Sequence, residues 1–284
     1  TTLGHCAVKA LSSNEVTVPS LRQSPGETAV DPEVPDVTRR LQALRRHPSS
    51  ADFYVAEFPK SGITFLTVLL ANAFLAANGY RARATFASVR NYIVDLCVAE
   101  HVESLLFQDP PVRFYKTHSL FSSQFIHSLY LVRHPADVLM SNFRYAKGRG
   151  WWENDDITAF IEHPTFGIDA WCRHVDSWLV EHRFASDVVF VHVVRYEDLV
   201  ADPLATLKSL DENFGWNLPE QALTETLELG SREAMRAQEA RYRATNPNHE
   251  FEFVSPQEAD VEEFVRQQAL ARCTAQLALL GYDQ

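Results

Sequence analysis

The sequence predicts an α/β fold, a single domain in which a central parallel β-sheet is flanked by helices and carries a P-loop-like turn after its first strand. Three observations lead there. Four short apolar runs are separated by stretches of helical periodicity. The first run passes through a turn bearing a lysine and a glycine straight into a helix. All four runs end in polar or charged residues.

Residues 1–50 scatter Ser, Thr, Pro and Glu without period, as in Pro19-Ser20-Leu21-Arg22-Gln23-Ser24-Pro25-Gly26-Glu27. They read as a tail or linker ahead of a domain spanning 51–284. A short helix is expected over 36–46, where Val37, Leu41 and Leu44 recur at helical spacing. The first strand is expected over 53–58 and its helix over 64–78, stopped by Gly79. A second strand over 112–115 ends in Lys116-Thr117-His118. A third over 128–132 ends at Arg133, and Pro135 then suits the first turn of a helix, where its missing N–H costs nothing. The fourth, 188–194, is rich in β-branched residues, as expected of a strand covered on both faces, and runs into Arg195-Tyr196-Glu197-Asp198.

Composition sets the outer limits. The 284 residues are 46% hydrophobic and 22% charged, enough to bury a full core. No run of about 18 apolar residues exists, so no membrane partner is expected. Thr1 to Lys9 lacks the pattern of a secretory signal. Cys6, Cys97, Cys172 and Cys273 lie far apart without C-x-x-C spacing, against a disulfide framework or a zinc site. A cytoplasmic setting is expected. The net charge of −11 argues against a nucleic-acid partner, so an anionic ligand would need a local concentration of positive charge. Of the five lysines, Lys9, Lys147 and Lys208 read as surface charges, whereas Lys60 and Lys116 fall at strand ends.

Pro59-Lys60-Ser61-Gly62-Ile63-Thr64 is the most informative segment. A strand turning tightly into a helix gathers unpaired backbone N–H groups and the positive end of the helix dipole, and Lys60 adds a full charge. This is a phosphate cradle. It departs from G-x-x-x-x-G-K-[ST], because the lysine precedes the glycine and no upstream glycine opens the loop. In a parallel sheet, ligands bind at the carboxyl ends of the strands, so Lys60, Lys116 with His118, Arg133 and Tyr196 should converge on one rim.

With those residues in view, the chain resembles the cytosolic-type sulfotransferases that use 3′-phosphoadenosine 5′-phosphosulfate (PAPS), and is expected to be a bacterial member. Phe58-Pro59-Lys60-Ser61-Gly62-Ile63-Thr64-Phe65 is similar to that family's 5′-phosphosulfate loop, and Phe114-Tyr115-Lys116-Thr117-His118 to its catalytic strand end. Tyr130-Leu131-Val132-Arg133-His134-Pro135 through Ser141 resembles its 3′-phosphate motif, with arginine and serine eight positions apart. Val194-Arg195-Tyr196-Glu197-Asp198-Leu199 and the stretch from Phe166 to Trp178 match in order and spacing, and 253–258 is a weaker echo. The likeness covers roughly residues 51–210.

The resemblance implies a sulfotransferase fold, PAPS as co-substrate and no metal. It implies His118 as general base and Lys60, with the backbone N–H groups of Ser61, Gly62, Ile63 and Thr64, as stabiliser of the leaving phosphate. Lys116, two residues before His118 on an extended segment, would support the bridging oxygen. Arg133 and Ser141 would bind the 3′-phosphate, Tyr196 would contact the nucleotide, and Phe65 would stand where the family stacks a tryptophan on adenine. Trp171, Trp178, Phe160 and His174 read as core, and Glu197 and Asp198 as groups that fix neighbouring loops.

Two departures stand out. The family's Arg-Lys-Gly segment is missing, leaving Arg241 or Arg243 to supply its charge, and Ser231-Arg232 resembles the segment at the adenine edge, with arginine in place of an aromatic. The dimerisation motif of animal members is also absent, which leaves the oligomeric state open. The acceptor is expected to be a hydroxyl, less readily an amine, on a small or carrier-bound molecule. Residues 85–107, with Phe86, Tyr92 and Ile93, would wall it, and Gly148-Arg149-Gly150-Trp151-Trp152 would form a mobile lid with two exposed aromatics. The alternatives are a P-loop small-molecule kinase using ATP and a non-catalytic nucleotide-binding module.

Overall fold

The computed structural model describes residues 49–96, 106–185, 188–246 and 259–282. The expected helix over 36–46 and the echo over 253–258 lie outside them. Strands β1 (Asp52–Glu57), β2 (Val94–Asp95), β3 (Phe107–Gln108), β4 (Pro111–Thr117), β5 (His127–Val132) and β6 (Phe190–Arg195) form one sheet. Its order is β2-β4-β1-β5-β6, every neighbour on that path being parallel, and β3 pairs antiparallel with β4. Pairings such as Ala56 with Thr117 and Glu57 with Leu131 bring the carboxyl ends of the central strands to one edge.

Alternation along β1 divides the core. Phe53 and Val55 face helix α1 (Ile63–Ala77), whereas Ala56 and Phe58 face the opposite layer. Helix α1 starts one residue earlier than expected and ends at the Asn78 cap. It is apolar on nearly every side because it lies between the sheet and a second helix, α7 (Glu220–Gly230). Thr226 Oγ1 donates to the Leu69 carbonyl at 2.9 Å and joins the two helices. Buried Asn72 makes a two-way bond with the Ala84 backbone, pinning the chain that leaves α1.

The other face is covered by α2 (Pro135–Gly148), α4 (Ile168–Leu179), α9 (Ala259–Arg272) and α10 (Thr274–Leu280), with the short α3 (Ile157–Ile161) between α2 and α4. Trp178 is stacked between Phe125 and Tyr130, with ring centroids 5.7 and 5.4 Å away. Trp171, Trp178, Phe160 and His174 are all buried, and His174 Nδ1 lies 2.9 Å from Tyr130 Oη. The remaining helices are α5 (Tyr196–Ala201), α6 (Pro203–Phe214) and α8 (Arg232–Thr245). Among the described residues no helix is long and apolar enough to cross a membrane.

The fourth expected strand needs correcting. It is β6, it starts at Phe190 rather than Val188, and it pairs with β5 alone among the described strands. Phe190 is 41% and Val193 37% exposed, so double coverage does not hold. The β-branched run there reflects strand propensity, which an edge strand satisfies as well as a central one. The cysteines also differ from expectation in one respect. Cys172 and Cys273, a hundred residues apart in sequence, meet as unlinked thiols 3.2 Å apart.

Arg113 on β4 is 1% exposed, and its Nε donates to Asp52 Oδ1 on β1 at 2.7 Å. Removing the carboxylate strands a buried guanidinium, so Asp52→Ala should lose about 3–5 kcal/mol of stability in denaturant unfolding. Glu220→Gln, which breaks a solvent-exposed pair with Lys208, should leave the midpoint nearly unchanged.

Candidate active site

The turn after β1 is closed by Ser61, whose N–H and Oγ–H both donate to the Phe58 carbonyl, at 3.2 and 2.9 Å. Lys60 (φ 78°) and Gly62 (φ 108°) adopt left-handed backbone, which glycine takes freely and lysine at a cost. A Cβ at Gly62 would lie 2.4 Å from Tyr196 Cδ2, so the ring packs directly on the bare backbone.

Glu57, the last residue of β1, is buried beneath this turn and was not singled out in the sequence. Its Oε2 accepts the Ile63 N–H at 2.8 Å, at the first residue of α1. A carboxylate there complements the helix dipole. The expectation for the cradle is corrected accordingly. The Ser61 and Ile63 N–H groups are spent inside the protein, and those of Gly62 and Thr64 have no acceptor among the described residues.

The charged groups crowd together. Lys60 Nζ sits 4.3 Å from the centre of the Tyr145 ring. Burial lowers the Lys60 ammonium to about 8; Glu57 opposes the shift, Lys116 and Arg133 add to it, and Glu239 opposes it. Lys116 Nζ is 3.1 Å from Oδ2 of buried Asp95. His118 Nδ1 lies 3.3 Å from the Glu57 carbonyl and 3.7 Å from Glu57 Oε1. Burial lowers the imidazole to about 3, Lys116 adding to the effect and Asp95 opposing it. Burial raises Glu57 to about 7 against the pull of Lys116, the Ile63 N–H and Lys60.

Arg133 follows β5. Its guanidinium lies 4.6 Å from the centre of the Tyr196 ring and its Nε 3.9 Å from Asp137 Oδ2. That Nε is buried without a hydrogen-bond partner among the described residues. The turn after it is held firmly. The His134 N–H donates to Glu197 Oε1 at 2.9 Å, and Tyr282 Oη donates to Glu197 Oε2 at 2.6 Å. His134 Nδ1 caps α2 by accepting the Ala136 N–H. Ser141 lies two turns into that helix and is half-buried.

Tyr196 opens α5 and touches both Gly62 and Arg133, so the turn, the aromatic ring and the guanidinium form one continuous surface. Helix α8 supplies another wall. Ser231 Oγ accepts the Ala234 N–H as the helix cap, and buried Glu239 acts on Lys60. Arg243 shares the face of Glu239, with Nη2 3.5 Å from its Oε1. Arg241 does not join the site; it is exposed and its Nε donates to Ala237 O. Of the two candidate arginines, Arg243 lies on the Glu239 face of the helix and Arg241 does not.

Phe65 is half-buried against the core cluster of α1, with Ile93 and Tyr92 packed into the same cluster. The Phe86 ring meets Tyr242 of α8 edge-on at 5.4 Å. The proposed lid carries one exposed aromatic rather than two. Trp151 is 40% exposed, but Trp152 packs edge-on against Phe160 at 5.3 Å. Besides Glu57, the sequence reading missed Asp95, Tyr145 and Glu239. An acid inside the apolar run Phe53-Tyr54-Val55-Ala56-Glu57-Phe58 was a usable signal, because buried carboxylates need a reason. Tyr145 follows Ser141 by one helical repeat and so shares its face.

The sulfotransferase domain family matches residues 50–270. Sulfotransferase 2A6 of Mus musculus is 28% identical over 133 residues, 41% of this chain and 42% of that protein. Sulfotransferase 1A1 of Rattus norvegicus is 26% identical over 191 residues, 61% of this chain and 62% of that protein. The chain spans about half the length of the first relatives it matches. The fold is shared with mouse sulfotransferase SULT7A1 complexed with PAP, at a TM-score of 0.54 and 17% identity over 86% of this chain and 94% of that one. It is also shared with retinol dehydratase in complex with androsterone and PAP, at a TM-score of 0.58 and 18% identity over 80% of this chain and 81% of that one. With most of its length matched by the domain family, the chain belongs to the sulfotransferases.

Proposed function

We propose that this chain transfers the sulfuryl group of PAPS to a hydroxyl on a small or carrier-bound acceptor. The observation that carries the reading is the unbroken cluster of Lys60, Gly62, Tyr196 and Arg133 with His118 and Lys116 alongside. The residues fit a doubly phosphorylated nucleotide. Arg133 Nε is buried with no acceptor, the Gly62 and Thr64 N–H groups are unpaired among the described residues, and the Lys60 ammonium is destabilised by burial and by like charges. An anion relieves all three.

The bound phosphosulfate supplies the sulfuryl group. His118 takes the acceptor's proton as the new S–O bond forms. The electron pair of the broken S–O bond stays on the phosphate oxygen, where Lys60 and the loop N–H groups stabilise it. Lys116, held by Asp95, supports the bridging oxygen. Arg133 and Ser141 take the 3′-phosphate, Arg243 adds charge, and Tyr196, Phe65 and Ser231 border the nucleotide. Phe86 and Tyr242 line the acceptor side. The unlinked Cys172 and Cys273 thiols suit a reducing, cytoplasmic setting. Retinol dehydratase is named with androsterone, a small hydroxylated molecule, which supports an acceptor of that size.

Calorimetry tests the donor. The chain should bind adenosine 3′,5′-bisphosphate in preference to ATP, and Arg133→Ala should weaken that binding at least about tenfold. Preference for ATP, with magnesium-dependent turnover, would favour a kinase instead.

The same titrations have a predictable pH dependence. Lys60 sits at about 8 in the free protein, and a bound anion favours its charged form. Affinity should therefore fall as pH rises through 8, with proton uptake seen as buffer-dependent heat, and Lys60→Met should abolish that step.

His118→Ala should keep the nucleotide affinity and lose about 10²–10⁴-fold in turnover across a panel of hydroxylated acceptors. Unchanged turnover would remove His118 from the chemistry.

A further inference from the structure

Glu57 is where the loop and His118 meet. It is 2% exposed, at the end of a strand whose only other buried charge, Asp52, is paired with Arg113. Its carboxylate has two neighbours of different kinds. Oε2 accepts the first N–H of α1 at 2.8 Å, and Oε1 lies 3.7 Å from His118 Nδ1. Its backbone carbonyl lies 3.3 Å from the same Nδ1. A carbonyl oxygen only accepts, so a neutral imidazole bonded to it carries its hydrogen on Nδ1 and leaves Nε2 as the basic nitrogen.

We propose that Glu57 is the positioning residue of this site: its carbonyl sets the His118 tautomer, and its carboxylate, tethered to the start of α1, compensates the imidazolium formed when Nε2 takes the acceptor's proton. This rests on the base role assigned to His118 above. In that step the acceptor O–H bond breaks, the proton forms a bond to Nε2, and the Nδ1 hydrogen stays where it is. The logic is that of an acid that orients a histidine without accepting its proton. The arrangement also ties the base to the loop, because one side chain holds both.

Several titratable groups surround the pair, and Tyr130 of β5 also faces Glu57. Lys60 and Lys116 face Glu57, while Lys116 of β4, Asp95 of β2 and His174 of α4 face His118. Burial favours the neutral form of each partner, lowering the imidazole to about 3 and raising the carboxyl to about 7. Burial thus disfavours the imidazolium in the free protein and shifts the Glu57 carboxyl upward toward the physiological range.

Nitrogen-15 and carbon-13 NMR of the histidine rings in the full chain tests this without donor or acceptor. His118 is assigned by comparison with His118→Asn. The Nδ1–H tautomer is expected throughout, with an inflection of the His118 ring shifts near pH 7 that disappears in Glu57→Gln. The amide oxygen of that variant can still accept the Ile63 N–H, so its circular dichroism spectrum should match that of the wild type and serves as the control for folding. A wild-type ring protonated on Nε2, a ring silent near pH 7, or an inflection unchanged in Glu57→Gln would overturn the proposal. Should Glu57→Gln fail to fold, the wild-type tautomer and titration decide alone. Failure of the wild type to bind the bisphosphate would instead count against the sulfuryl-transfer reading, which the ring measurements do not address.

Discussion

The parallel registration of β4, β1, β5 and β6 is the constraint from which the site follows. Parallel pairing aligns chain directions, so every strand delivers what comes after it to the same edge. Lys60, His118, Arg133 and Tyr196 lie within a few residues of four strand ends and are far apart in sequence. No local preference of any of these residues would bring them together. The crossovers require helices on both faces, and those helices need the nearly continuous apolar surfaces that α1 and the aromatic stack around Trp178 provide.

Concentrating positive charge in a chain of net charge −11 requires local balance. Each cation at the rim has an acid near it: Asp95 for Lys116, Asp137 for Arg133, Glu239 for Arg243, and Glu57 between Lys60 and His118. The balance is incomplete. Burial still depresses the Lys60 ammonium, and Arg133 Nε, 3.9 Å from Asp137, makes no hydrogen bond among the described residues. A site that is under-neutralised in this way stays folded and keeps its attraction for an anion.

The fold was legible because its signals are local. Apolar runs, the Gly62 turn and Pro135 at a first helical turn each fix a strand, a loop or a helix start on their own. The four strand-end residues were legible once the strands were taken as parallel. What escaped depends on tertiary distance. Asp95 and Glu239 act from a two-residue strand and from a distant helix, and nothing in their immediate sequence marks them. That Arg241 and Arg243 lie on different faces depends on the phase of α8. The β6 run misled because β-branched composition reports strand character and says nothing of what lies beyond the strand.

The Tyr196 ring has a mechanical consequence. Its Cδ2–Cε2 edge meets the Gly62 backbone and the Arg133 guanidinium lies against its ring, and an aromatic ring does not compress. The ring therefore sets a minimum separation between the loop and the arginine. A ligand that engages both is gauged by length, so that two anionic groups too close together cannot satisfy both ends at once. Under the proposed function, selectivity of this kind is geometric.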